Sequence, residues 1–180
     1  MERPIEASVT LAEPLRHVRA ALGAQPGILV AASAPDWREG GPYEGALAIE
    51  IGDGTRVVQT LTCDLGPSAR DGDTVVLPVQ WQPTSHAHVL PAFAGQFELT
   101  AAPPGTRLVL RGAYTIPLGP AGRVGDRVAG RRLAQRVLDG HLEAVAERID
   151  QFVELMRPLG LVEVSRTGVL SIQRGKDKAG

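Results

Sequence analysis

One cysteine, Cys63, in 180 residues leaves no internal disulfide and too few thiolates for a Cys-rich zinc site. Aromatic residues make up only 4% of the chain, so stacking surfaces are scarce. Neither charge sign dominates: 19 basic against 20 acidic side chains give a formal net charge of -1, and no global field draws nucleic acid or an anionic membrane. No stretch approaches the roughly 20 apolar residues of a membrane span, which argues against stable membrane insertion. The opening "MERPIEASVT" lacks the apolar run of a signal peptide, so a cytoplasmic protein is expected. The common nucleotide and hydrolase signatures are also missing: there is no G-x-S-x-G elbow, no Walker loop and no G-x-G-x-x-G.

What is present is turn-forming and apolar. The chain holds 21 Gly and 14 Pro, and its 43% hydrophobic content suffices to bury the core of one domain. "PIEASVTL", Pro4 to Leu11, alternates Ile5, Ala7, Val9 and Leu11 against polar residues, the pattern of a half-buried strand. In "AEPLRHVRAAL" the residues Leu15, Val18 and Leu22 recur at helical spacing, and "GAQPG" ends that short helix. From Ile28 to Tyr43 the prolines and glycines around Trp37 suggest a loop, with "GILVAA" readable as a strand or a helical turn.

A hairpin follows. "ALAIEIGDGTRVVQTLTCDLG" sets a Gly52-Asp53-Gly54 turn between two alternating runs. Asp73–Trp81, Gly95–Ala101 and Thr106–Ile116 supply three more strands, the last two joined by the tight "APPG" turn. Five strands are therefore expected after the first. In the last of them Arg107 and Arg111 share one face, leaving Leu108, Leu110, Gly112, Tyr114 and Ile116 on the other.

From Val124 to about Met156 the period becomes that of a helix. Val124, Val128, Leu138, Leu142, Val145, Ile149, Val153 and Met156 fall on one side of a helix of about 30 residues. Pro117, Gly119 and Gly122 mark a corner between strand and helix, because Pro has no N–H to donate to a ladder and Gly lets the backbone turn sharply. Residues 1–157 read as one domain and 158–180 as a tail, mobile or forming an accessory strand.

The order of strand, short helix, antiparallel strands and long C-terminal helix resembles the helix-grip fold of the START-like, or SRPBCC, superfamily. That superfamily includes Bet v 1 allergens, polyketide cyclases and lipid-transfer domains. The most specific part is "LPAFAGQFELTAAPPGTRLVLRGAYTIPLGPAGRVGDRVAGRR", which looks like the penultimate hairpin and helix junction of uncharacterised bacterial SRPBCC proteins. One helix and an irregular Pro/Gly stretch stand where that pattern usually has two short helices. The resemblance implies an α+β domain whose curved antiparallel sheet wraps around the long C-terminal helix, with a cavity between them for an apolar ligand.

The expected partner is then a small hydrophobic or amphipathic molecule, with no cofactor. Candidates to line the cavity are Trp81, Phe97, Leu99, Leu108, Leu110, Tyr114, Arg131, Gln135 and Leu138. Arg131 and Gln135 share the angular sector of Val128, Leu138 and Leu142. Two readings stand for them: the helix overhangs solvent there, or Arg131 meets an acidic ligand group or a buried carboxylate. Arg131 and Tyr114 are expected at the same end of the groove.

Other chemistry-bearing residues have plainer explanations. His86 and His88 alternate as strand ligands of a metal would, but no Cys, Asp or Glu stands nearby, and a solvated loop before Pro91 fits better. Cys63 shares a face with Val57 and Leu61 and reads as a small core residue. "GPAGRVG" lacks the Lys-Ser/Thr ending of a phosphate cradle. Three functional classes follow: a ligand-binding domain, a cyclase or aromatase-like enzyme, which needs an inward acid or base, and a filled-core domain that acts through a partner protein.

Overall fold

The computed structural model describes residues 2–30, 42–51, 55–84, 92–115 and 127–159. Seven strands form one antiparallel sheet: β1 (Glu2–Leu11), β2 (Tyr43–Ile51), β3 (Thr55–Leu65), β4 (Ala69–Asp71), β5 (Thr74–Pro83), β6 (Ala92–Ala102) and β7 (Gly105–Thr115). Along the sheet they run β1-β7-β6-β5-β3-β2, with the short β4 beside β5. The helices are α1 (Leu15–Ala24) and α2 (Arg127–Met156), and 3-10 turns cover Pro26–Leu29 and Arg157–Leu159.

This is the helix-grip arrangement, and each strand expected from alternation is present. The "APPG" turn joins β6 to β7, and β2 pairs with β3 from Ile51↔Thr55 outward. "GILVAA" resolves in part as the 3-10 turn after α1, which buries Ile28 and Leu29. The expected count of five strands after the first becomes six, because β4 is too short to carry an alternation. Its position follows from Pro78. Without an N–H, Pro78 cannot donate at the edge where β3 stops, and its carbonyl instead accepts from the Gly66 N–H at 2.8 Å. β3 pairs with β5 from Pro83 to Val79, and β4 resumes the edge from Val76 to Thr74.

The core lies on the concave face. Ile5, Ala7 and Leu11 of β1, Leu61 and Cys63 of β3, Leu77, Val79 and Trp81 of β5, and Phe97 and Leu99 of β6 are buried there. β7 adds Leu108, Leu110 and Tyr114, while Arg107 and Arg111 face outward as their alternation requires. Across this face α2 lays Leu138, Leu142, Val145, Ile149 and Val153, and α1 adds Val18, Ala21 and Leu22. No helix among the described residues is long and apolar enough to cross a membrane.

The C-terminal end of α2 is tied to the loop after β1. The Glu13 carboxylate accepts from His17 Nδ1 at 2.9 Å and pairs with Arg157, which also reaches Glu154 at 3.1 Å. Thr106, buried, donates its hydroxyl to the Glu13 carbonyl at 2.8 Å. A 3-10 turn at Arg157–Leu159 follows directly on α2. Trp37, the Gly52-Asp53-Gly54 turn, His86 and His88, the corner at Pro117 to Gly122, Val124 and the tail from residue 160 lie outside the described residues.

Candidate functional site

Register brings one side chain from each of five strands into a single row. Tyr114 of β7 pairs with Phe93 of β6, Phe93 with Trp81 of β5, Trp81 with Cys63 of β3, and Cys63 with Tyr43 of β2. Four aromatic side chains thus cross the sheet on one face, a large share of those in an aromatic-poor chain. Trp81 and Phe93 stack with ring centroids 4.7 Å apart.

The neighbouring row is what lets Phe93 lie down. Gly95 and Gly112 are paired across β6 and β7, and a Cβ on either would fall within 2.6–2.8 Å of the Phe93 ring tip. The same Cβ atoms would meet backbone at 2.3 Å (the Arg111 carbonyl) and 2.4 Å (the Ala94 carbonyl). Only glycine fits at both positions.

Over this wall stands His141 of α2, buried to 4% exposure. Its ring is edge-on to Trp81 (centroids 5.1 Å apart, planes at 74°) and 6.5 Å from Phe97. The third contact comes from the turn after α1: Nε2 lies 2.9 Å from the Leu29 carbonyl oxygen. A carbonyl only accepts, so Nε2 carries the hydrogen and Nδ1 of the neutral ring presents a lone pair. That Nδ1 is buried and has no hydrogen-bond partner among the described residues. Burial pushes the pKa down to about 4; the Leu29 bond opposes this and the Arg148 charge adds to it. The ring is neutral at physiological pH.

The expected lining residues divide in two. Trp81, Phe97, Leu99, Leu108, Leu110, Tyr114 and Leu138 are buried in the same core as His141. Arg131 is exposed, whereas Tyr114 is buried. Gln135 is half-buried and donates to the Glu6 carbonyl of β1 at 2.9 Å and to Asp139 at 3.0 Å. Its polarity is satisfied by the sheet edge and its own helix. His141 was not among the expected residues, although its position three after Leu138 and four before Val145 places it in the apolar seam.

Cys63 is a buried core thiol whose pKa is raised, chiefly by desolvation, with a Trp81 contact opposing and Asp64 adding. Among the described residues no group of three or more His, Cys, Asp or Glu side chains is placed to hold a metal ion.

The chain was compared with known proteins. A family model described as the small subunit of acetolactate synthase matches residues 142–175, from within α2 into the residues beyond it, and includes none of the sheet. No curated protein matches. Among solved structures, the di-domain ARO/CYC StfQ from the steffimycin biosynthetic pathway is similar with a TM-score of 0.51 at 15% identity, covering 88% of this chain and 53% of StfQ. Protein MLL2253 from Mesorhizobium loti has a TM-score of 0.49 at 16% identity, over 83% and 98% of the two chains. Ara h 8.0201 has a TM-score of 0.47 at 14% identity, over 84% and 99%. At such identities the likeness is one of fold alone, and the fold is the Bet v 1-like helix-grip.

Proposed function

We propose that this helix-grip chain holds a small, largely apolar molecule between α2 and the concave face of its sheet, hydrogen-bonded to Nδ1 of His141. The observation that carries the reading is the unpartnered lone pair itself. A buried acceptor left without its bond costs about 1–3 kcal/mol, which any aliphatic residue at that position would avoid. A ligand donor removes that cost. The surroundings suit such a ligand: Trp81, Phe93 and Phe97 make an aromatic wall, and Leu99, Leu108, Leu110, Tyr114 and Leu138 are apolar or nearly so. The backbone of α2 comes closest to the sheet at β1, so over β5 and β6 helix and sheet meet through long side chains.

A second reading is favoured by the same residue. StfQ is named as an ARO/CYC, and His141 is the inward base that an enzyme of the cyclase or aromatase kind would need. Its low basicity weighs against it, since a general base works best with a pKa near the operating pH and this one lies at about 4. Hydrogen-bond acceptance needs no such basicity, and binding is the better account. A filled core that acts through a partner protein is the third outcome.

The test is native mass spectrometry of the purified chain, followed by organic extraction. Binding predicts a cell-derived small molecule that travels with the protein and is lost in His141→Leu. Turnover of an aromatic polyketide mimic that disappears in the same variant would replace binding by catalysis. A parent chain that carries nothing and takes up no apolar dye would leave the filled core.

A further inference from the structure

Resting on the binding reading above, the geometry points to an uncharged ligand that carries a hydroxyl or N–H donor, such as an alcohol, phenol or amide, and that is taken in preference to a carboxylate. Three contacts fix the polarity of the one free ring nitrogen. The Leu29 carbonyl holds the hydrogen on Nε2, so Nδ1 can only accept. Trp81 edge-on and Phe97 alongside hold the plane of the ring, and with it the in-plane lone pair. Turning the ring over would put Cε1–H in place of Nε2–H at the Leu29 oxygen, and moving the hydrogen to Nδ1 would set the Nε2 lone pair against it, so this one contact secures both rotamer and tautomer.

A carboxylate meets this arrangement badly. Its oxygens would face a lone pair in surroundings of low dielectric, and their own hydration would be lost without replacement. A protonated imidazole would reverse that preference, but burial opposes the charge. Among the described residues, the cations of β7 and of the first turns described in α2 are turned outward. Arg131, Arg132 and Arg136 of α2 are exposed, and Arg107 and Arg111 lie on the outer face of β7. Arg148, two turns along α2 from His141, is half-buried and has an interaction of its own. An alcohol or phenol, by contrast, satisfies Nδ1 with one bond and leaves its carbon frame against Trp81 and Phe93.

Three probes of one shape separate the possibilities: 2-naphthol, 2-naphthoate and 2-methylnaphthalene, titrated calorimetrically into the full chain at neutral pH. 2-Naphthol should bind roughly tenfold tighter than the methyl compound, about the worth of one hydrogen bond, and 2-naphthoate should be the weakest. In His141→Phe the advantage of 2-naphthol over 2-methylnaphthalene should vanish. A readout that needs no variant is the imidazole 15N spectrum of histidine-labelled protein, in which the unprotonated nitrogen of His141 should move with 2-naphthol and not with 2-methylnaphthalene. Naphthoate bound as tightly as naphthol, or naphthol no better than the methyl compound, would overturn the selectivity and leave ligand binding standing. None of the three bound by the folded chain would overturn both.

Discussion

The imidazole of His141 stands edge-on to the indole of Trp81, with ring centroids 5.1 Å apart and planes inclined by 74°. An edge-to-face pair sets the positive rim of one ring against the electron-rich face of the other. Here it joins the long helix to the middle of the sheet through two side chains that could each carry a polar group inward. The helix brings a nitrogen to a wall that is otherwise aromatic and aliphatic.

The first prediction concerns acid. Burial lowers the His141 pKa to about 4, so between about pH 6.5 and 4 the unfolded chain binds a proton that the folded chain refuses. Stability should therefore fall as pH falls through that window and owe nothing further to this ring below it. The other groups packed on the ring, Trp81, Phe97 and the Leu29 carbonyl, do not titrate there, and the Arg148 charge works with burial against protonation. Asp150 acts in the opposite direction, since desolvation, then Glu13 and Glu154, raise its pKa. Urea unfolding of the parent and His141→Phe from pH 7.5 to 4 isolates the histidine. The parent should lose roughly 2–4 kcal/mol more than the variant. Parallel curves would mean that the ring is solvated.

Gly95 and Gly112 should tolerate no side chain. An added methyl at either meets a cross-strand carbonyl and the Phe93 ring, so Gly95→Ala and Gly112→Ala should each destabilise by about 1–3 kcal/mol or more, as overpacking does. Pairing either with Phe93→Leu should recover part of the loss, because the ring tip is one of the two obstacles. Thermal midpoints within a degree of the parent would show that the sheet is not drawn this tightly here.

Leu142 and Ile149 lie fully buried on the sheet-facing side of α2. Truncation of either to alanine should cost roughly 2–5 kcal/mol. Leu155, which is 69% exposed, is the control: Leu155→Ala should change the urea midpoint little. Equal effects at 149 and 155 would mean that the helical face is misassigned.

Cys63 should be chemically silent in the native chain. Only the thiolate attacks alkylating reagents, and burial raises the pKa of this thiol well above the usual cysteine range. Iodoacetamide at pH 8 should label the folded protein far more slowly than the urea-unfolded protein, as followed by intact mass. Similar rates would place the sulfur at the surface.

Local periodicity made much of this molecule legible. Alternation in "TRLVLRGAYTI" put Arg107 and Arg111 on one face and Leu108, Leu110 and Tyr114 on the other, and the burial of the strand agrees, because successive strand side chains point to opposite faces. Helical spacing likewise picked out Leu138, Leu142, Val145, Ile149 and Val153, since a face of period 3.6 depends on near neighbours alone. The same angular argument grouped Arg131 and Gln135 with that face. It could not foresee that Gln135 meets the Glu6 carbonyl, which depends on where β1 lies beside the helix. Nor could it foresee the aromatic row or the Gly95–Gly112 pair, because each exists only once strand register is set between segments far apart in the chain. His141 stood within the apolar seam of the sequence all along. Its chemistry was decided by a carbonyl 112 residues away, which holds the hydrogen on one nitrogen and leaves the other, buried among apolar side chains, able only to accept.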